Sequence, residues 1–325
     1  MTFLVLLIAA LGVTLLTWTR VASFNDRVSS ASAASSSLFG PLGGEERVNV
    51  AVFGYGGVEH DGMYLTDSIN ILSIDPQSET TTMIAVPRDL WVEGVPALPQ
   101  NGKVNEAFAA GFAAAGTIDS AAETAMAVLS DVTGLRIDHW MALDFNGFRR
   151  MIDAVGGVTV NNPTAFSYTW DESDFNAATW EGDFPAGEIH LNGDEALTYT
   201  RARYTSVPSE SSDFARSVRQ QQVLSALRAQ LGDGGIGSIG PGLRVMDALG
   251  EDLRTDMSAI DLFLLSSHVD SDRRVELTEG LILTATTNTI GQYILVVIGS
   301  AGPGDYSPLR AYIQGQLDAP VATAP

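Results

Sequence analysis

The 325-residue chain carries 18 basic against 39 acidic side chains, a formal net charge of −21 at pH 7, and 45% of it is hydrophobic. So acidic a body argues against a nucleic-acid partner, whose backbone it would repel, while the hydrophobic content suffices for a sizeable core in one large domain or two ordinary ones. The absence of cysteine excludes disulfides, zinc–thiolate sites and cysteine nucleophiles.

Residues 2–19, TFLVLLIAALGVTLLTWT, form an uncharged apolar run of 18 residues. As a helix the run spans roughly 27 Å, enough to cross the hydrocarbon core of a bilayer, with Trp18 where an interfacial aromatic sits. We read residues 1–19 as an uncleaved, single-pass signal anchor; a cleaved signal peptide or a buried helix would share the pattern. Arg20, Arg27 and Arg47 follow the run and none precedes it, which by the positive-inside rule alone would place the body in the cytoplasm; a basic extension upstream would remove that conflict. Residues 20–46, rich in Ser, Ala and Gly, read as a flexible linker, the folded body is expected over 47–318, and 319–325 as a disordered tail.

Within the body, RVNVAVFGYGG, DSINILSID and TTTMIAVPRD read as three strands. Two helices broken near Gly116 follow, then a strand, a helix and a strand after a Gly-Gly turn in HWMALDFNGFRRMIDAVGGVTV. GDEALTYT is a short helix, SDFARSVRQQQVLSALRAQL a long one capped by Ser212 or Asp213, and MSAIDLFLLSSHV another. RRVELTEG and YILVVIG read as strands and PLRAYIQGQL as a final helix. Mixed strands and helices without a repeat predict an α/β class, an α/β/α sandwich around a mixed central sheet.

Only Lys103 is lysine; the other 17 basic residues are arginine, and four cluster between 201 and 219. In an extended segment Arg201 and Arg203 leave the same face, and on a helix Arg216 and Arg219 share a face with Gln220 beside them. Both helical arginines lie in the first two turns, where free N–H groups and the dipole favour an anion. The polar loop between the pairs can fold one over the other. A solvated, salt-bridged face is the plain alternative, set against Arg88, which follows an apolar strand and Pro87 at a strand end, a common place for ligand groups, with Asp89 beside it. The glycine turn GYGGVEHDGMYLTDS brings Glu59, Asp61 and Asp67 near the same region. Carboxylates beside a phosphate site call for a bridging divalent cation, and magnesium takes one or two carboxylates plus phosphate oxygens.

The ordered combination TDSINILSID, VPRDLWV, KVNEAF, DAVGGVTV, ALTYTRARY and SDFARSVRQQQ resembles the LytR-CpsA-Psr family, from about Val48 to the C-terminus. The resemblance implies a membrane-anchored, Mg2+-assisted envelope enzyme, its body outside the membrane. Such an enzyme moves a glycopolymer from a polyisoprenyl diphosphate carrier onto peptidoglycan or another glycan, making a phosphodiester. By the same resemblance Arg88, Lys103, Arg201, Arg203, Arg216, Arg219 and Gln220 bind the pyrophosphate and Asp67 the metal, while Asn105 completes the K-x-N element. Many members have arginine where this chain has Leu65 and aspartate near Gly56; Asp61 is the substitute second metal carboxylate. Arg88, Arg201 and Arg203 are expected to act in catalysis, with Asp89 or Asp213 as general base. A non-catalytic polyprenyl-diphosphate or anionic-glycan binding protein and a pyrophosphate hydrolase remain the alternatives.

Overall fold

The computed structural model describes residues 19, 22–27, 46–57, 62–78, 80–171, 179–203, 205–232, 244–245, 247–249, 252–258, 261–262, 265 and 273–319. Its frame is a six-stranded mixed sheet, built around β1 (Val48–Tyr55), β2 (Thr66–Asp75), β3 (Thr80–Ala85), β6 (His139–Asp144), β11 (Leu253–Thr255) and β12 (Arg273–Glu276) in the order β11-β6-β1-β2-β3-β12. β1 runs parallel to β6 and β3 to β12; the other pairings are antiparallel.

Alternation along β1 divides its side chains between two cores, as a period of two requires. Ala51, Phe53 and Tyr55 face α2 (Glu106–Ala115), α3 (Ile118–Thr133) and the C-terminal helix α7 (Ser307–Asp318), meeting Phe108, Val128, Leu309 and Ile313. Val48 and Val50 face the other way, onto Met257 and Leu265. Gly116 ends α2 in the left-handed region (φ 72°), and Thr117 then caps α3 by accepting the Ser120 N–H.

A second core lies beyond β6. It packs α4 (Phe145–Ala154), β7 (Val158–Asn162), β8 (Phe166–Asp171), β9 (Thr179–Phe184), β10 (Gly187–Leu191), α5 (Gly193–Arg201) and α6 (Asp213–Gly232) around Tyr199, Phe166, Phe184 and Val223. A capping box between Asn192 and Glu195 starts α5. Gly193 is required there: a Cβ would sit 2.3 Å from the Arg149 carbonyl oxygen, so only glycine lets α5 close on α4. Ser212 Oγ accepts the Ala215 N–H, which makes Ser212 the cap of α6. Two short ribbons, β4 (Trp91–Val92) with β5 (Gly102–Lys103) and β13 (Leu283–Thr287) with β14 (Tyr293–Val297), complete the frame.

The mixed sheet with flanking helices agrees with the expected class. The stretch expected to be a linker does not run unstructured from 20 to 46. Residues 22–27 form a helical segment, α1, because Phe24 is an apolar anchor within it, buried against Leu249 and Leu253, and Arg254 donates to the Arg27 carbonyl. The apolar run, apart from Thr19, lies outside the described residues, and no helix among the described residues is long and apolar enough to cross a membrane. Of the helix expected over MSAIDLFLLSSHV, only Asp261, Leu262 and Leu265 are described as helical.

His139 joins β6 to the segment after β11. Its Nδ1 lies 3.2 Å from Asp256 Oδ2, and Asp256 Oδ1 accepts the Trp140 N–H at 2.9 Å. Burial opposes the charged imidazole, but the hydrogen bond and charge of Asp256, with Asp138 and Asp261, outweigh it and raise the pKa above 6.5. A raised folded pKa stabilises below the unfolded value, and that contribution is lost as pH rises through the folded one. Urea denaturation between about pH 5 and about pH 9 should show stability declining on the alkaline side, and His139→Gln should flatten that limb. An unaltered profile in the variant would exclude the pair as its source.

Candidate functional site

The candidate site lies where β1 and β6 end and β2 begins. Tyr55 pairs with Thr66 on one side and with Asp144 on the other. β3 exits beside them, and Val86-Pro87 leads into Arg88. Arg88 donates from one terminal nitrogen to Asp67 Oδ1, the second residue of β2, and its Nε lies 3.6 Å from Asp89 Oδ2. Lys103 Nζ donates to Asp89 Oδ1 at 2.6 Å. Asp89 is buried, so both of its oxygens face cations. The Lys103–Asn105 strap is held by backbone: Asn105 N–H donates to the Arg88 carbonyl, and the Asn105 carbonyl accepts from Thr66 N–H, each at 3.3 Å. The Asp89 carbonyl accepts the Leu295 N–H at 2.9 Å, which ties the β13–β14 hairpin to this loop.

Asp67 is the meeting point. Burial alone would raise its pKa; the guanidiniums of Arg88, Arg216 and Arg201, with the Arg88 hydrogen bond, outweigh that and hold the carboxyl below the ordinary range of 3.8. Three arginines from three elements thus act on one carboxylate. Arg216, one turn into α6, is buried. Arg201 stacks its guanidinium over the Phe145 ring, 4.4 Å from the centroid. Phe145 opens α4 directly after Asp144, whose side chain caps that helix through the Gly147 N–H. Asp144 also lies against the glycine turn after β1: a Cβ on Gly57 (φ 80°) would meet Asp144 Oδ2 at 3.2 Å.

The two arginine pairs differ from the expected geometry. Arg201 is the last residue of α5, and the chain leaves the helix at Ala202 (φ −51°, ψ 120°), so Arg201 and Arg203 do not project from one extended segment. Capped α5 simply runs on through Arg201. Arg203, half-buried, follows the buried Ala202. Arg216 and Arg219 share a helix face, yet Arg219 is turned inward: 2% exposed, its guanidinium bonds to the carbonyls of Tyr199, Ala202 and Glu210 and to the Glu210 carboxylate. Gln220 donates to the Thr200 carbonyl at 3.4 Å. Asp213 opens α6, but its side chain, like the whole of Asp61, lies outside the described residues. Sequence reasoning missed Glu210, Phe145 and Asp144. An acid placed between two arginine pairs was the available signal for Glu210; nothing local marked the other two.

Among the described residues no group of three or more His, Cys, Asp or Glu side chains is placed to hold a metal ion. Asp67 nevertheless suits magnesium as one hard carboxylate, held ionised, for a cation whose other ligands would be phosphate oxygens and water. Three guanidiniums and Lys103 against Asp67 and Asp89 leave a surplus of positive charge. With planar donors capable of bidentate bonding, such a surplus would suit a dense phosphate-type anion.

The sequence pattern of the LytR_cpsA_psr family matches residues 19–297, and the chain belongs to that family. It is 32% identical over 204 residues to the polyisoprenyl-teichoic acid–peptidoglycan teichoic acid transferase TagU of Halalkalibacterium halodurans, covering 62% of this chain and 59% of that protein. Over 256 residues it is 30% identical to the TagU of Oceanobacillus iheyensis, covering 77% and 72%. The match spans only 56% of a third such relative, from Enterococcus faecalis. Among solved structures, B. subtilis TagV superposes with a TM-score of 0.62 at 22% identity, over 85% of this chain and 99% of that one. TagT bound to LI-WTA superposes at 0.60 and 19% identity, over 90% and 100%. At these identities the likeness shows the fold.

Asp67→Asn removes the counter-charge of the cluster. A depressed carboxylate stabilises above its unfolded pKa and loses that contribution as pH falls through the folded one. The variant should therefore be less stable than wild type in urea at neutral pH, the gap closing below the ordinary range of 3.8. An equal gap at both ends would contradict the assignment.

Proposed function

We propose that the protein transfers a glycopolymer from a polyisoprenyl diphosphate carrier onto peptidoglycan or a related envelope glycan. The observation that carries this reading is the ion pair of Arg88 with Asp67, with the charges of Arg201 and Arg216 acting on the same carboxylate. The family, and relatives named as polyisoprenyl-teichoic acid–peptidoglycan teichoic acid transferases, support it.

In this reading an acceptor hydroxyl attacks the sugar-linked phosphorus. The new O–P bond replaces the bond to the bridging oxygen, and the lipid monophosphate leaves with the electron pair. Phosphoryl transfer gives the protein little covalent work, so positioning and charge stabilisation dominate. Arg88, Arg201 and Arg216 hold the equatorial oxygens, and Arg203 completes the set. Lys103 orients Asp89, whose other oxygen faces Arg88 Nε at 3.6 Å. With both oxygens of Asp89 committed to cations, the base role is assigned to Asp213, three residues before Arg216 on α6. Asp67, with Asp61, would hold magnesium, which supplies further neutralisation of the phosphate charge. The apolar run at residues 2–19 would anchor the enzyme, with the body outside the membrane, where the acceptor is.

Pure protein given a synthetic polyprenyl-diphosphate glycan, a glycan acceptor and magnesium should form acceptor-linked polymer. Arg88→Ala and Arg201→Ala should each lose roughly a hundred- to a thousandfold in rate, the size of one lost transition-state contact. Arg149→Ala, which removes a surface pair with Asp194, should stay within about twofold. Full activity in Arg88→Ala and Arg201→Ala would refute the site; release of polymer to water, with none on the acceptor, would identify a pyrophosphate hydrolase.

The topology is tested separately. Protease added to intact spheroplasts should digest the body, and complete protection would place it in the cytoplasm.

A further inference from the structure

Arg219 shares a helix face and a motif with Arg216, which would make it a ligand. Its surroundings say otherwise. Its Nε donates to the Tyr199 carbonyl at 3.0 Å, one terminal nitrogen to the Ala202 carbonyl at 2.5 Å, and the other to Glu210 Oε2 at 2.8 Å. Both terminal nitrogens also reach the Glu210 carbonyl at 3.2 Å. The guanidinium lies over the rings of Phe166 and Tyr199, 4.9 and 5.8 Å from their centroids. At 2% exposure it presents no face to an incoming anion.

What it grips is specific. The Tyr199 and Ala202 carbonyls flank Arg201 at the C-terminal end of α5, where helix carbonyls run out of helical partners. Gln220, the next residue of α6, takes the Thr200 carbonyl between them. The end of α5 is therefore closed by side chains from α6, the helix that also carries Arg216. Tyr199 is fixed in turn by its hydroxyl, which donates to Gln222 Oε1 at 2.9 Å. Glu210 neutralises the buried cation and fastens the loop between the two arginine pairs.

We infer that Arg219 and Glu210 are positioning residues: a buried clamp that fixes the α5 terminus to α6 and thereby aims Arg201 at the reacting phosphate. The inference rests on the proposed transfer reaction, and it moves Arg219 from the substrate to the frame. A displacement of about an ångström in a transition-state contact costs on the order of a hundredfold in rate, so loosening the clamp should act on catalysis beyond any effect on folding.

The test is a double-mutant cycle on the full chain. Arg219→Lys and Glu210→Gln are each made in the wild-type and the Arg201→Ala backgrounds, with kcat, the donor KM and Tm measured for all. Glu210→Gln retains an acceptor for Arg219 and keeps the fold testable if Arg219→Lys does not fold. Expected is a loss of about ten- to a hundredfold in kcat with KM within about threefold, and little or no further loss once Arg201 is alanine. Losses that repeat in full in the Arg201→Ala background would show a structural effect unrelated to aiming Arg201, and would overturn the clamp. A raised donor KM with unchanged kcat would make Arg219 a substrate contact and overturn it too. Full activity in both clamp variants would do the same while leaving the site intact, whereas full activity in Arg201→Ala alone would refute the site reading instead.

Discussion

Guanidiniums gathered on one spot repel, and in a low-dielectric setting that repulsion must be met locally whatever the net charge of the chain. Asp67 meets it. Placed at the second position of β2, its carboxylate takes a hydrogen bond from Arg88 and the field of Arg201 and Arg216. Without it the apoprotein would hold three cations together against their mutual charge. With it, the cluster still exceeds its acids in charge, which in the proposed reaction would favour an anion that brings more negative charge than one carboxylate does. A donor held in place before the ligand arrives needs no reorganisation during the reaction, where electrostatic stabilisation has its value.

The fold delivers these groups by local devices. β1 and β6 run parallel, so both end at the same edge, while antiparallel β2 begins there. The edge thus receives the glycine turn after β1, the start of α4 after β6, and Asp67 at once. Phe145, the first residue of α4, becomes the platform under Arg201 because Gly193 allows α5 to lie against α4 without a side chain between them. Arg88 is fixed from behind. Asp89 places a carboxylate oxygen 3.6 Å from its Nε, Lys103 donates to Asp89, and the Asn105 backbone straps the loop to Thr66. The K-x-N element therefore has a structural account independent of any ligand: the lysine balances a buried acid and the asparagine main chain closes a gap between two strands.

The elements with strong periodicity were legible in the sequence. β1, β2 and β3 alternate or run apolar, α2 and α3 stop at glycines that take the left-handed conformation, and α6 announces itself by its cap. Ribbons such as β4–β5 and β7–β10 were poorly legible as pairs, because two-residue strands and distant partners leave no local period. The same limit applied to the site. Spacing placed Arg216 and Arg219 on one face, but a face is a direction, not a neighbour. The charge of one acts on Asp67; the other is bonded to the end of α5. The extended reading of Arg201 and Arg203 failed because the capping box that drives α5 sits nine residues earlier, at Asn192, and carries the helix through Arg201. Phe24 was hidden differently: one aromatic in a Ser/Ala-rich stretch docks residues 22–27 on the body, against the composition around it.

A motif arginine is therefore not a unit of site charge. Burying a guanidinium is costly unless acceptors surround it, and Arg219 is nearly fully buried, paired with Glu210 and sealed by aromatic rings. Burial depresses its pKa, and the charge of Glu210 opposes that loss. Such a residue contributes almost no field to a phosphate, since its charge is spent on an acid and three carbonyls. Lysine could supply the charge but not the fork, which reaches Tyr199, Ala202 and Glu210 from one rigid plane. Arginine thus serves two unrelated needs a single helical turn apart, a charge acting on Asp67 at Arg216 and a buried joint at Arg219, and only the three-dimensional surroundings separate them.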